Sequence, residues 1–146
     1  MTIVAIATRE ELKLVDELGL GGYPIILTGV GGVNVITALK DLPKDTEIIN
    51  VGYCGSNNIE IGTKVEIGDV WTYHPSVEFC ERYQCISKSK YSCFTSTDFV
   101  TKTDIKEPCV FDMELAFICA LGFKVRAYKF VSDNLSLKEY EKNKGE

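Results

Sequence analysis

Apolar and polar residues alternate along the first third of the chain in blocks that predict strands separated by helices. Short β-branched runs at 2–8, 23–29 and 46–56 are typical of buried strands. Between the first two, "REELKLVDELGLGG" places leucines and a valine near helical spacing before its glycines end the segment. "GGVNVITALKDL" (31–42) predicts a glycine turn that runs into a helix and stops at Pro43. Strands separated by single helices indicate parallel βαβ units.

The rest of the chain follows a different order. Runs at 63–75 and 92–101 predict two strands without a helix between them, joined by a polar and weakly patterned link. "FDMELAFICALGF" (111–123) predicts a helix that is apolar almost all round. "KVRAYKFVSD" then predicts a last buried strand, which ends at Asp133. The charged tail, 135–146, is expected to form no more than a short, frayed helix.

Composition and charge narrow the class of protein. A chain of 146 residues with 45% hydrophobic and 25% charged residues predicts one globular domain spanning 1–146. The net charge of −5 and the lack of a basic block argue against nucleic acid or an anionic membrane surface as the main partner. No apolar run reaches the length of a membrane span, and the N-terminal residues do not resemble a signal peptide. We therefore expect a cytoplasmic protein.

The six cysteines and the single histidine limit the chemistry. With no CxxC pair and no secretion signal, the cysteines are expected to be free thiols in a reducing compartment. The same pattern disfavours a zinc site. We expect no metal and no organic cofactor.

Three carboxylates sit where the pattern is apolar or where a strand ends. Glu114 lies inside the predicted apolar helix, where an unpaired charge would be costly. Alternatively, it lies on a narrow solvent-exposed face, or it favours the helix N-terminus together with Asp112. Asp133 lies where ligands of open α/β sheets bind, and it equally fits a turn or a helix N-cap. Glu10 and Glu11 follow the first strand and also suit the first turn of a helix.

Two glycine turns and one aromatic residue add further candidates. "TGVGG" and "VGYCGS" follow predicted strands, so their N–H groups can face a ligand, although tight packing explains them as well. The first turn carries Asn34 at the third glycine position of the dinucleotide motif, which makes it a weak example of that motif. Phe99 in "TSTDFV" is either a core aromatic or a surface for stacking a base.

Taken in this order, the segments resemble the nucleoside phosphorylase and nucleosidase superfamily, which includes 5′-methylthioadenosine/S-adenosylhomocysteine nucleosidase and futalosine hydrolase. "IINVGYCGS…VEIGDVW" is similar to the family's glycine-rich strand end and its following strand, and "TGVGGVNVITAL" to its second glycine turn and helix. "TSTDFV" resembles the base-stacking segment, "FDMELAFICALGF" the ribose-binding helix, and "KFVSD" the strand that carries an acid. The resemblance implies an α/β fold of three α/β/α layers around a central mixed, partly barrel-like sheet, reduced in size.

The resemblance also implies a role for each matching residue. Asp133 would protonate N7 of a leaving purine, and Glu11, or Glu10 in a shifted register, would activate water. Glu114 would grip the ribose hydroxyls. The other implied substrate-binding residues are Met113 against the sugar, Phe99 on the base, Val100 at the base edge, Gly52, Tyr53, Cys54 and Gly55 on the sugar and nucleophile side, and Ser132 beside the acid.

Water is favoured over phosphate as the nucleophile. A phosphorylase binds a dianion, usually with arginines, and this chain has only three arginines. Asn50 and Tyr53 stand where phosphorylases of the hexameric type carry an arginine and a small hydroxyl residue. We expect a nucleosidase acting on a small-molecule nucleoside of the adenosine or methylthioadenosine type. The alternatives are a non-catalytic nucleoside-binding or scaffold protein and a phosphorylase.

The chain also departs from the family pattern. Lys129 stands where the family often has an arginine that supports the ribose-binding acid. Asn134 and Leu135 follow "SD", where the family often has a second aspartate. The segments that correspond to family helices are short, which would leave sheet surface to be covered by a second copy. A homo-oligomer, with a dimer favoured, is therefore expected.

Overall fold

The computed structural model describes residues 1–74 and 81–144. These residues form eight strands, four α-helices and one short 3-10 helix, Arg9–Glu11, which leads into the first α-helix. The strands are β1 Thr2–Ile6, β2 Ile25–Leu27, β3 Glu47–Ser56, β4 Lys64–Thr72, β5 Arg82–Gln84, β6 Tyr91–Thr95, β7 Val110–Asp112 and β8 Lys124–Asp133. The α-helices are α1 Leu12–Glu17, α2 Gly32–Leu39, α3 Leu115–Ala120 and α4 Leu137–Asn143.

Five of the strands close into a barrel-like ring. β3 pairs with β8 and β7, β7 pairs with β6, β6 pairs with β4, and β4 pairs with β8 to complete the circuit. β1 and β2 extend the sheet beyond β3, and β5 extends it beyond β4. The sheet is mixed, since β2, β1, β3 and β8 run parallel while β7 runs antiparallel to β3 and β4 antiparallel to β8. The mixed, partly barrel-like sheet expected from the resemblance is confirmed.

The pairing of β3 with β8 positions the strand ends. The two strands pair in register from Glu47 with Lys124 to Cys54 with Val131. The next pair joins Gly55 to Asp133, so the register shifts by one residue at this end of β8. Such an irregularity re-aims a side chain at the rim of a barrel.

Two apolar clusters hold the sheet between its helices. The larger cluster packs α2 and α3 against the sheet through residues such as Val35, Leu39 and Leu115, all fully buried. The second cluster packs α1 on the sheet through Leu14 and Val15. Helices on both faces fit the layered α/β arrangement. No helix of residues 1–74 and 81–144 is long and apolar enough to cross a membrane.

The helix predicted for 111–123 is wrong in its first turn. Val110–Asp112 form strand β7, Glu114 is the N-cap residue, and the helix begins at Leu115. A short apolar run suits a buried strand as well as a buried helix, so the pattern could not locate the boundary. The structure fixes it because the Asp112 carboxylate accepts a hydrogen bond from the Leu115 N–H at 2.8 Å.

Other strand predictions also need correction. The second strand is not buried: β2 lies at the edge of the sheet, with 37% of Ile25 and 48% of Leu27 exposed. The strand predicted for 92–101 ends at Thr95, and the polar link contains an unpredicted edge strand, β5. Residues 76–80 of that link, and Pro75 at the end of the strand predicted for 63–75, lie outside the described residues.

Candidate active site

A cavity of about 380 Å³ lies at the edge of the sheet where β1, β3 and β8 end. Because parallel strands present their carboxyl ends at one edge, residues distant in sequence meet there. Ala7 and Thr8 follow β1, Tyr53 to Gly55 lie near the end of β3, and Asp133 ends β8. Helix α4 closes one side of the cavity through Leu137, Tyr140 and Glu141, together with its C-cap residue Lys144.

Glu11 is a buried carboxylate at the wall of this cavity. Its Oε1 accepts hydrogen bonds from the N–H groups of Ala7 at 2.8 Å and Thr8 at 3.1 Å, and its Oε2 accepts one from Tyr53 N–H at 2.9 Å. Burial raises the pKa of Glu11 above its ordinary value, although the nearby Lys129 and the three N–H donors oppose the shift. Glu10, the alternative considered from sequence, is exposed and does not line the cavity.

Beneath the cavity lies a buried ion pair, Asp112 with Lys129. The Lys129 ammonium is 2.9 Å from Asp112 Oδ2, and both side chains are only 1% exposed. Burial lowers the pKa of Lys129, but Asp112, Cys93 and Glu114 together outweigh burial, and the pKa lies above its ordinary value. Both groups are therefore charged near neutral pH, and Lys129 supplies positive potential to the floor of a cavity lined by acids.

Glycine at position 52 makes room for this arrangement. A Cβ at Gly52 would lie 2.7 Å from Glu11 Oε2 and 3.4 Å from Lys129 Nζ. A side chain there would displace the Glu11 carboxylate. Gly52 thus acts through Glu11 and is not itself among the residues that line the cavity.

Glu114 lies on the loop between β7 and α3 and reaches across to the turn before α2. Its Oε2 accepts a hydrogen bond from Gly31 N–H at 2.9 Å. Gly31 has a φ of 89°, a left-handed conformation that glycine adopts without strain. Burial, and then the Asp112 carboxylate, raise the pKa of Glu114 to about 7.

Asp133 is buried at the end of β8. Its Oδ1 accepts a hydrogen bond from the Ser132 hydroxyl at 2.9 Å, and its Oδ2 accepts one from Leu135 N–H at 3.0 Å. A Cβ at Gly55 would lie 2.8 Å from Asp133 Oδ2, so the glycine on β3 leaves space for the carboxyl group. Burial raises the pKa of Asp133 above its ordinary value.

Aromatic and apolar side chains form the rest of the wall. The ring of Phe99 contacts the ring of Tyr140 on α4, with centroids 5.7 Å apart. Phe111, Met113 and Val30 add apolar surface. A cavity with apolar walls and a few convergent polar groups is the usual form of a small-molecule site.

The cavity brings together eight of the residues predicted from sequence. These are Glu11, Tyr53, Cys54, Gly55, Phe99, Met113, Glu114 and Asp133. Val100 lies instead in a small adjoining cavity that Phe99 and Met113 also line, and Ser132 contributes through its hydrogen bond to Asp133.

The sequence reasoning missed several lining residues. They are Ala7, Thr8, Val30, Phe111, Asp112, Leu137, Tyr140, Glu141 and Lys144. Asp112 carried a usable signal, a second acid two positions before Glu114 at the end of an apolar run. The α4 residues carried none, because a charged tail shows no sign of folding back over a cavity.

The structure resembles solved nucleosidases. It superposes on 5′-methylthioadenosine/S-adenosylhomocysteine nucleosidase (MTAN) of Helicobacter pylori with a TM-score of 0.73 and 15% identity, over 99% of this chain and 90% of that chain. For an MTAN of Chlamydia trachomatis bound to MTA, the TM-score is 0.77 and the identity 16%, over 99% and 89%. For futalosine hydrolase of Helicobacter pylori, the values are 0.72 and 13%, over 99% and 90%.

These likenesses confirm the fold of the nucleoside phosphorylase and nucleosidase superfamily. The sequence itself matches no protein-family model and no curated protein. At 13–16% identity the likeness is one of fold, and a function has to be argued from the site.

Proposed function

We propose that this protein hydrolyses the N-ribosidic bond of a purine nucleoside of the adenosine or methylthioadenosine type. The observation that carries the proposal is the meeting of three carboxyl groups, Glu11, Glu114 and Asp133, at one cavity beside an aromatic wall. Each carboxyl group has different hydrogen-bond partners, so the three can divide the work. The fold shared with solved nucleosidases supports the same reaction.

Asp133 is proposed as the general acid. Breaking the bond leaves negative charge on the purine, and a proton delivered to the base relieves it. Burial raises the pKa of Asp133. A carboxyl group with a raised pKa keeps its proton at a pH nearer to neutral than an ordinary aspartate does. Its place at the tip of β8, within reach of the cavity, suits that role.

Glu11 is proposed as the base that orients water. Three backbone N–H groups hold its carboxylate in one position, which favours a precise geometry for the nucleophile. Its raised pKa also makes it a stronger base than an ordinary glutamate. The ionised carboxylate would accept a proton from the water as it attacks the sugar.

Glu114 and the aromatic wall are proposed to position the nucleoside. An ionised Glu114 keeps an oxygen free for the ribose hydroxyls, because Gly31 N–H binds only Oε2. Met113 would pack against the sugar, and Phe99 would stack on the base. With Phe99 and Tyr140 now in contact, the base would enter by separating the two rings.

Water is proposed as the nucleophile in preference to phosphate. The acids that line the cavity are Glu11, Asp112, Glu114, Asp133 and Glu141, whereas Lys144 is the only basic residue among the lining residues that the structure describes. Lys129 lies beneath them and is already paired with Asp112. A phosphate dianion would meet net negative charge, so its binding would be weak.

Release of free base from a panel of purine nucleosides, with and without phosphate, tests the proposal. Release without phosphate is expected, with adenosine or methylthioadenosine among the substrates. Asp133→Asn should reduce the rate at least about 100-fold while largely sparing binding, since acid catalysis contributes that much. Asp104→Asn changes an exposed aspartate outside the cavity and should leave the rate unchanged.

The same assay separates the other functions. Strict dependence on phosphate would identify a phosphorylase and overturn hydrolysis. Binding without release of base from any nucleoside would identify a non-catalytic nucleoside-binding protein. One observation favours that second candidate: both oxygens of Asp133 already accept hydrogen bonds from the protein.

A further inference from the structure

A second cavity, of about 300 Å³, shares Tyr53 with the candidate active site. It lies between α1 and the end of α4, and it is lined by residues of both helices as well as of β3 and β8. This volume lies at the lower end of the range for small-molecule sites, about 300–1,000 Å³. None of the roles proposed above uses the cavity itself.

The distinctive group at this cavity is the ammonium of Lys13. Its Nζ is buried, and no described residue accepts a hydrogen bond from it. The ammonium lies 5.9 Å from the centroid of the Tyr53 ring. A buried ammonium without an acceptor is costly, so this site favours an occupant that brings one.

The other polar groups at the cavity are already used or exposed. The Asn143 side-chain amide donates to the Ser132 carbonyl at 2.8 Å, and the Ser132 hydroxyl donates to Asp133 and to the carbonyl of Cys54. Glu17 is exposed, one helical turn after Lys13, and does not accept a hydrogen bond from it. Lys13 is thus the cationic group available to fix a ligand.

The remaining walls are apolar. Leu14, Ile61, Phe130 and Val131 line the cavity, and Leu14 and Phe130 are buried members of the cluster that packs α1 on the sheet. A ligand that fits this cavity must combine a negatively charged hydrogen-bond acceptor with an apolar body. A second negative charge would be repelled by Glu17 at the same cavity.

We propose that this cavity binds a small organic monocarboxylate: the partly exposed Lys13 side chain turns its ammonium into the cavity to meet the carboxylate, and the apolar part lies against Leu14 and Phe130. The site is separate from the one proposed for nucleoside hydrolysis, and it stands whether or not that reaction occurs. The proposal concerns binding, so its test requires no substrate.

Calorimetric titration of the full chain with hexanoate, hexanamide and inorganic phosphate tests the site. Hexanoate is expected to bind at least about tenfold more tightly than hexanamide, because only the carboxylate forms a charge-assisted hydrogen bond. Phosphate should bind more weakly than hexanoate. In amide NMR spectra, hexanoate should shift the signals of Leu14, Ile61 and Phe130 and not those of Phe99 and Glu114.

Two lysine variants complete the test. Lys13→Met keeps the length of the side chain, removes the charge and should weaken hexanoate binding about tenfold or more. Lys90→Met is the matched control, because Lys90 Nζ also lies over an aromatic ring, that of Tyr91 at 5.3 Å, yet away from this cavity. It should leave binding unchanged.

Several results would overturn the proposal. They are equal binding of hexanoate and hexanamide, tighter binding of phosphate, unchanged binding by Lys13→Met, and NMR shifts confined to the first cavity. If Lys13→Met fails to fold, the comparison of hexanoate with hexanamide on the unaltered chain still decides the question.

Discussion

Glu114→Gln should make the protein more stable at alkaline pH while it impairs the proposed reaction. The pKa of Glu114 is raised from 4.5 to about 7 by burial and by the Asp112 carboxylate. Between these two values the folded protein binds the proton more tightly than the unfolded chain does, so folding stability falls as pH rises through this window. Glutamine stays neutral and avoids that loss.

The magnitude follows from the shift. A rise in the pKa from 4.5 to about 7 corresponds to about 3 kcal/mol at pH 8, and solvent screening at this partly exposed side chain brings the expected effect to about 2 kcal/mol. At pH 5 the expected difference is under about 1 kcal/mol. The amide oxygen of glutamine can still accept the hydrogen bond from Gly31 N–H, so that contact should survive.

Urea denaturation of both proteins at several pH values between 5 and 8 measures this effect. The free energy of unfolding of Glu114→Gln, relative to the unaltered protein, should rise steadily across that range. Glu10→Gln is the control, because Glu10 is exposed and its pKa is lowered by local hydrogen bonds, so no such gain is expected. A Glu114→Gln difference that does not change between pH 5 and pH 8 would refute the reasoning.

Two further predictions concern the floor of the cavity. Lys129→Met should lower the free energy of unfolding by about 3–5 kcal/mol, because it leaves the Asp112 carboxylate buried without a counter-ion; a loss under about 1 kcal/mol in urea denaturation would contradict this. Gly52→Ala should reduce base release at least about tenfold, because its Cβ would meet Glu11 Oε2. Gly22→Ala, where no atom lies within 4 Å of the added Cβ, is its control, and equal activity of the two variants would count against the role of Glu11.

Local sequence patterns predicted those elements whose conformation depends on residues adjacent in sequence. The apolar runs of β1, β3 and β8 and the glycine turn before α2 could be predicted because strand and turn preferences act over a few residues. The position of Asp133 at a strand end was readable for the same reason. The apolar run around Asp112 was not, because a buried strand and a buried helix share that composition.

The sequence by itself determined which segments form strands and helices in the first third of the chain, and it placed Glu11 after the first strand and Asp133 at the end of the last one. The tertiary structure decided which of those ends meet. Asp112 on β7 and Lys129 on β8 form an ion pair although their strands are not neighbours. Closure of the five-stranded ring brings the two strands together, with β3 between them. The fold of the tail into α4 over the cavity was likewise a tertiary outcome, since the contact of Tyr140 with Phe99 joins residues far apart in sequence.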